Sequence, residues 1–260
     1  MQRITIKNIQ KKKGKKPITC LTAYSKTITE ILDKYCDIIL VGDSLSMVLY
    51  GMKTTRDIKI EQMLVHGKTV KQSSKKSLVV FDMPYKTYFN KTVAYRNAKK
   101  IIKETKCDAV KLEGGVKVAS IIKHLTKNKI PVMAHIGLLP QTSNKYKLKG
   151  KRKLERERII RDALAVTNSG AFAVVIECVV ENLAKEITNI ISIPTIGIGA
   201  SKYCDGQILV TDDIIGLSNN RPRFVKKYTD VRKIIEKSVK KYCLDVRKRK
   251  FPGTENVYKF

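Results

Sequence analysis

No apolar run in the 260-residue sequence approaches the roughly 20 residues that a bilayer-spanning helix requires, so no such helix and no membrane partner are expected. The six cysteines, at positions 20, 36, 107, 178, 204 and 243, include no Cys-x-x-Cys pair and no zinc-like spacing. A sequence-encoded zinc site is thereby excluded, and the thiols read as reduced, mostly small core residues. The basic start, Met1 to Lys16, has no apolar segment of signal-peptide type behind it. The expectation is a cytoplasmic protein. Acidic residues are scarce, 23 against 53 Lys and Arg, which leaves a formal charge of +30. A field of that sign attracts nucleic acid, anionic membrane or an anionic substrate. The cations, however, are spread as singles and pairs with few aromatic residues among them and no nucleic-acid motif. They read as a solvated surface, with no nucleic-acid partner.

What is present is a repeated pattern. Ile38-Ile39-Leu40-Val41 is apolar on both faces, as in a strand of a parallel sheet, and runs through Gly42 to Asp43 and Ser44. Leu78-Val79-Val80-Phe81 closes on Asp82, Ala109-Val110-Lys111-Leu112 on Glu113, Val132-Met133-Ala134 on His135, and Ala173-Val174-Val175-Ile176 on Glu177. Further strands are expected at Ile18–Tyr24, around Ile196 and at Gln207–Val210. Helical patterns separate most of them, near residues 26–35, 60–72, 92–105, 116–126, 155–169 and 181–191, with a last helix over 229–242. Eight strands alternating with helices in this length predict one domain over residues 1–260, a (β/α)8 barrel with a basic lead-in and a C-terminal helical segment. Such barrels collect their chemistry at the C-terminal tips of the strands.

Asp43, Asp82 and Glu113 are then three carboxylates facing one mouth. Each could simply cap a helix or pair with a lysine. Together, with no cysteine or paired histidine nearby, they suit a hard divalent ion such as magnesium, which prefers oxygen ligands and keeps waters. An ion of that kind can be chelated by a 2-oxo acid and stabilise the enolate formed when a neighbouring C–H is removed. Lys111 shares a face with Glu113 by strand periodicity, and a lysine inside an apolar strand needs an anion to meet. That anion is a substrate carboxylate or, in the plainer reading, a protein carboxylate. Glu177, between Ile176 and Cys178, suits a general base, or else a helix cap. His135 reads as a hydrogen-bonding group behind the site, while His66 and His124 read as surface or structural residues. Gly197-Ile198-Gly199-Ala200 fails the dinucleotide fingerprint, whose third glycine falls on Lys202. These glycines are expected to allow backbone approach to a ligand.

Val41-Gly42-Asp43-Ser44-Leu45, Asp82-Met83-Pro84, Val110-Lys111-Leu112-Glu113-Gly114-Gly115, His135-Ile136-Gly137-Leu138, Pro140-Gln141, Glu177-Cys178-Val179, Ile196-Gly197-Ile198-Gly199-Ala200 and Asp205-Gly206-Gln207 occur in this order. In order and spacing they resemble the ketopantoate hydroxymethyltransferase family, over nearly the whole chain down to Phe251-Pro252-Gly253. The resemblance implies a barrel related to the phosphoenolpyruvate/pyruvate superfamily, assembled as a homodecamer. It implies transfer of a hydroxymethyl group from 5,10-methylenetetrahydrofolate to 3-methyl-2-oxobutanoate, giving 2-dehydropantoate and tetrahydrofolate in pantothenate biosynthesis. Carried over by motif, Asp43 and Asp82 hold magnesium, with Glu113 at the metal or near it through water. Asp43, Ser44, Asp82 and Lys111 contact the oxo acid, and Glu177 accepts the proton. The alternative is a folate-independent, magnesium-dependent lyase or mutase of the same barrel superfamily. One departure stands out: the family's loop after the fifth strand reads close to Tyr-Lys-Val-Gln-Gly-Arg, and here it is Tyr146-Lys147-Leu148-Lys149-Gly150-Lys151. Folate contacts are less secured by the resemblance there than contacts to the oxo acid.

Overall fold

Each of the eight expected strands is present, and the strands close into an all-parallel barrel in sequence order. The structure, a computed structural model, describes residues 2–143, 147–219 and 221–259. The elements are α1 (Ile6–Gln10), β1 (Ile18–Thr22), α2 (Lys26–Leu32), β2 (Ile38–Val41), α3 (Leu45–Val48), α4 (Ile60–Ser73), β3 (Leu78–Asp82), α5 (Lys91–Thr105), β4 (Ala109–Glu113), α6 (Val116–Lys127), β5 (Val132–Gly137), α7 (Lys153–Asn168), β6 (Ala173–Glu177), α8 (Glu181–Ile190), β7 (Thr195–Ile198), β8 (Gly206–Leu209), α9 (Thr211–Ile214) and α10 (Val231–Arg247). Residues 1–210 and 211–260 form two compact units. The first holds the entire barrel. In the second, α10 carries an exposed apolar stripe of Ile234, Ile235, Val239 and Tyr242.

Strand periodicity sorts the barrel into two apolar layers. Ile39, Val41, Val79, Phe81, Val110, Leu112, Val174 and Ile176 pack with residues of the surrounding helices. The alternate positions, among them Ile38, Leu40, Leu78, Val80, Ala109, Met133, Ala173, Val175, Ile196 and Ile208, form a second cluster of strand residues that fills the lumen. Ile9 joins this inner cluster from α1 and is completely buried. The basic lead-in is therefore not a bare tail. Thr5 caps α1 by accepting the Asn8 N–H, and the turn of helix stops the bottom of the barrel with Ile9. Five residues cannot hold a helix by propensity, so its signal was tertiary.

Two further elements differ from expectation. Helix α2 ends at Leu32 rather than Tyr35 and turns Thr29 and Leu32 inward, leaving Ile31 and Tyr35 exposed. Helix α10 runs five residues past Tyr242, to Arg247.

Acidic residues below the barrel act as structural clamps. Asp37 takes Lys12 Nζ at 2.5 Å, and Asp205 takes Lys13 Nζ at 2.9 Å and the Thr195 and Gly14 N–H groups at 2.8 Å each. Asp33, just past α2, accepts hydrogen bonds from Ser74 Oγ and the N–H groups of Lys75, Lys76 and Ser77, which tie α2 to the turn between α4 and β3. Burial opposes its charge, yet the Ser77 N–H, the Ser74 hydroxyl and the other two N–H groups bring the Asp33 carboxyl down to about 2. A depressed carboxyl stabilises the fold above its unfolded pKa and loses that contribution as pH falls toward the folded value. Asp33→Asn should therefore lower stability by about 1–2 kcal/mol at pH 7, allowing for partial solvent screening. The deficit should shrink between about pH 4 and pH 2, and urea melts at both ends of that window check it. An equal deficit at pH 7 and pH 2 would refute the carboxylate as its source.

Candidate active site

The inner layer changes character at the C-terminal end of the strands. Below it is aliphatic. At the top it consists of Asp82, Lys111, Glu113, His135 and Glu177, with Asp43 just beyond β2. Strand register makes these side chains neighbours: Asp82 pairs with Lys111 across β3 and β4, and Glu113 with His135 across β4 and β5. At the end of β5, Gly137 pairs with Glu177. Gly137 has φ +92°, and a Cβ there would stand 2.4 Å from the Glu177 carbonyl oxygen, so only glycine lets β5 pass this close to the tip of β6. Gly42 has a related role, since a Cβ would meet Ser44 Oγ at 2.9 Å and Asp82 Oδ2 at 3.6 Å.

Asp43, Asp82, Lys111, Glu113 and His135 are all buried. Lys111 Nζ donates to Asp82 Oδ1 at 2.7 Å, and the Asp43 backbone N–H donates to Asp82 Oδ2 at 3.2 Å. Burial works against the lysine charge, but the carboxylates of Asp82, Glu113 and Asp43 hold Lys111 above the ordinary lysine range. Its anion in this structure is thus a protein carboxylate, the plainer of the two expectations. Burial, and then the neighbouring charge of Asp82, push Asp43 up to about 7 against the pull of Lys111 and of the Gln141 amide. Burial likewise raises Glu113 well above the carboxylate range. Two carboxylates this close in a desolvated mouth lack positive charge, even with Lys111 present.

His135 stands between two acids. Its Nε2 lies 3.2 Å from Glu177 Oε2 and its Nδ1 3.6 Å from Glu113 Oε1, neither aligned as a hydrogen bond. Burial and the Lys111 cation lower the imidazole, favouring its neutral form. Ser44 opens α3 and shares a 2.8 Å hydrogen bond with the Tyr24 hydroxyl. His66 is structural as expected, its Nδ1 2.7 Å from the Tyr24 carbonyl oxygen and its Nε2 3.0 Å from the Tyr50 hydroxyl. His124 packs edge-on against Tyr95.

Gly197, within β7, is a correction. A Cβ on Gly197 would meet the side chains of Gln207 at 3.0 Å and Cys204 at 3.2 Å, so the missing side chain makes room for protein rather than for a ligand. The departing loop is only partly open to description. Lys145 and Tyr146 lie outside the described residues. Lys149 is pinned beside Glu177, its N–H donating to the Cys178 carbonyl oxygen at 2.7 Å and its carbonyl accepting from the Val180 N–H at 3.0 Å.

Among the described residues, no three His, Cys, Asp or Glu side chains gather into a metal-holding group. The fit for magnesium rests on a smaller set. Asp43 and Asp82 offer hard oxygens to a cation that takes one or two carboxylates and completes its shell with water and substrate oxygens. Glu113, at the end of β4, is a third carboxylate of the mouth, its Oε2 accepting the Gln141 N–H at 3.0 Å. The donor set and the surplus of negative charge both fit such an ion. Gln141 and Tyr88, both buried at the site, went unassigned in the sequence reading. Pro140-Gln141 carried a trace of the former as a motif, and nothing marked Tyr88.

A family model described as ketopantoate hydroxymethyltransferase matches residues 3–254. A 3-methyl-2-oxobutanoate hydroxymethyltransferase from Pelagibacter ubique (strain HTCC1062) is 53% identical, over 97% of this chain and 98% of its own length. One from Rhizobium etli is 52% identical over 99% and 96%, respectively, and one from Anaplasma marginale (strain St. Maries) is 48% identical over 98% and 93%. Among solved structures, phosphonopyruvate hydrolase superposes with a TM-score of 0.67 at 9% identity, covering 100% of this chain and 92% of that one. The same enzyme in complex with oxalate and magnesium gives 0.64, covering 96% and 92%. Phosphoenolpyruvate phosphomutase from Streptomyces platensis subsp. rosaceus gives 0.62 at 11% identity, covering 94% and 88%. At such identities the likeness is one of fold, a barrel of the kind found in the phosphoenolpyruvate mutase/isocitrate lyase superfamily.

Proposed function

The chain belongs to the ketopantoate hydroxymethyltransferase family, and from that premise we propose how its barrel mouth carries out the family's reaction. The activity is hydroxymethyl transfer to 3-methyl-2-oxobutanoate, in pantothenate biosynthesis. The donor is 5,10-methylenetetrahydrofolate, one water is consumed, and the products are 2-dehydropantoate and tetrahydrofolate. The observation that carries the reading is the buried array itself: a carboxylate pair, Asp43 and Asp82, beside Lys111, with Glu177 reached across His135.

Asp43 and Asp82 would hold magnesium, which when bound supplies a positive charge toward the carboxylate and keto oxygens of the oxo acid. The solved phosphonopyruvate hydrolase with oxalate and magnesium supports the pairing of this fold with that chemistry, because a 2-oxo acid offers the same adjacent oxygens. Lys111, kept cationic by Asp82, adds attraction for the substrate's negative charge. Ser44, fixed by Tyr24, offers a hydroxyl at the same rim. Glu177 removes the C3 proton of the oxo acid onto its carboxylate. The consumed water opens the methylene bridge, leaving hydrogen on both folate nitrogens and the carbon at the formaldehyde level. C3 attacks that carbon, and the resulting alkoxide takes back the proton from Glu177. His135, buried beside Glu177 with its Nε2 3.2 Å from Oε2, lines that carboxylate as a neutral ring. The buried mouth limits water around the carbanion-like carbon, which favours carbon–carbon bond formation over simple reprotonation.

Product assays test the reaction. 2-Dehydropantoate should form with magnesium, 3-methyl-2-oxobutanoate and methylenetetrahydrofolate together, and omission of any one should abolish it. Turnover without folate would instead favour the lyase or mutase alternative.

The excess of cations serves to solvate the surface and to attract anionic substrates. Turnover with monoglutamyl folate should therefore change only modestly, about twofold to threefold, between low and physiological salt, because exposed charges are screened beyond a Debye length. Tight duplex DNA binding at physiological salt would contradict this view of the charge. The apolar stripe on α10 supports self-association, and a homodecamer is the assembly we propose; sedimentation velocity reads it directly.

A further inference from the structure

Gln141 is almost completely buried at the site, and every polar atom of its side chain is engaged. Its Nε2 donates to Asp43 Oδ2 at 2.8 Å and to the Met83 carbonyl oxygen at 3.0 Å. Its Oε1 accepts from the Tyr88 hydroxyl. Its own backbone N–H donates to Glu113 Oε2 at 3.0 Å. Tyr88 in turn accepts the Glu113 backbone N–H at 3.2 Å. One residue on the loop after β5 thus grips two of the three carboxylates at the mouth, on β2's end and on β4, and a tyrosine after β3 grips that residue.

The chain of bonds has only one possible direction. It begins at the Glu113 N–H, which can only donate, so the Tyr88 oxygen accepts there and its single proton goes to Gln141 Oε1. It ends at the Met83 carbonyl, which can only accept, so the Gln141 nitrogen faces that way. The second amide hydrogen then falls on Asp43 Oδ2, and that oxygen is committed as an acceptor. Asp43 Oδ1 is the oxygen left to face a ligand.

We propose that Tyr88 and Gln141 are positioning residues, which through this one-way hydrogen-bond chain select the Asp43 oxygen presented to the divalent cation and hold Glu113 beside it. The proposal rests on the reading that Asp43 and Asp82 hold that cation. Neither residue touches the reacting atoms. Their effect is on the geometry of the carboxylates, so it registers in metal affinity without any substrate present.

The test is manganese binding to the full chain, read by electron paramagnetic resonance of free Mn2+, for the parent, Gln141→Met and Tyr88→Phe. Gln141→Met keeps the length of the side chain and removes both donors. Its Mn2+ affinity should fall roughly 10–100-fold, the usual cost of losing a partner that orients a metal ligand. Tyr88→Phe removes the donor that anchors Gln141 Oε1 and leaves that buried oxygen unpaired, and should weaken binding about threefold to tenfold, as for one neutral hydrogen bond. Thermal unfolding without metal accompanies each measurement. If Gln141→Met does not fold, Tyr88→Phe decides alone. Affinity within twofold of the parent in every variant that folds would overturn the positioning role while leaving the carboxylate site intact. A parent that binds no Mn2+ would overturn the carboxylate site and this role with it.

Discussion

Asp82→Ala should abolish measurable binding of magnesium and of 3-methyl-2-oxobutanoate together. Asp82 joins β2, β3 and β4 at the mouth. Its Oδ2 accepts the Asp43 N–H, its Oδ1 takes the Lys111 ammonium at 2.7 Å, and its charge is the neighbour that most raises Asp43. Removing it leaves Asp43 alone with Lys111, which then acts as an internal counter-ion and competes with any cation for the remaining carboxylate. Affinity for magnesium should fall at least about 100-fold, in line with loss of a direct ligand exceeding loss of an outer partner. The same substitution takes from the buried Lys111 ammonium its hydrogen-bonded partner, so a stability loss of about 3–5 kcal/mol is expected as well. Asp82→Asn separates the two effects. It keeps the volume and one acceptor for Lys111, so it should recover much of the stability while leaving magnesium affinity low. Calorimetry that finds parent-like binding of magnesium and oxo acid in folded Asp82→Asn would remove Asp82 from the metal site.

The barrel was legible in the sequence because a strand buried on both faces needs an apolar run, and five of the runs here close on a side chain that the lumen cannot bury without a partner. Asp82, Glu113, His135 and Glu177 announce themselves in that way. Lys111 does so too, and the structure supplies the anion that its position demands. Other parts were written only in tertiary contacts. Helix α1 is too short to be held by propensity, and it exists because Ile9 fills the floor of the lumen. Gln141 follows a proline in a polar stretch where nothing local distinguishes a buried amide from an exposed one. Its role depends on Asp43, Met83, Tyr88 and Glu113, which are remote in sequence. Gly197 was misread for a related reason: a glycine states that a side chain is missing, not what fills the space, and here Gln207 and Cys204 fill it. The three carboxylates looked equivalent as strand tips, whereas in the fold their partners differ: Asp82 takes Lys111 and the Asp43 N–H, Asp43 takes the Gln141 amide, and Glu113 takes the Gln141 backbone N–H.

Glu177→Gln should separate chemistry from binding in the opposite sense to Asp82. If Glu177 removes the C3 proton, the enzyme exchanges that proton with solvent deuterium when only magnesium and the oxo acid are present, because enolisation precedes attack on the one-carbon unit. Glutamine keeps the shape of the side chain at the tip of β6 and its hydrogen-bonding capacity, but it cannot accept the proton. Affinity for the oxo acid should stay within about threefold, while exchange slows by roughly 10²–10⁴, the usual contribution of a positioned base. The split between unchanged binding and lost exchange is what a structural role could not produce, since a distorted mouth would weaken both. His135 gives an internal check. Its Nε2 is 3.2 Å from Glu177 Oε2, so His135→Asn, which cannot span that separation in the same way, should slow exchange less than Glu177→Gln does. The readout is loss of the C3 proton signal by NMR in deuterated buffer. Undiminished exchange in Glu177→Gln would move the base elsewhere, and His135, buried between Glu177 and Glu113, would become the group to substitute next.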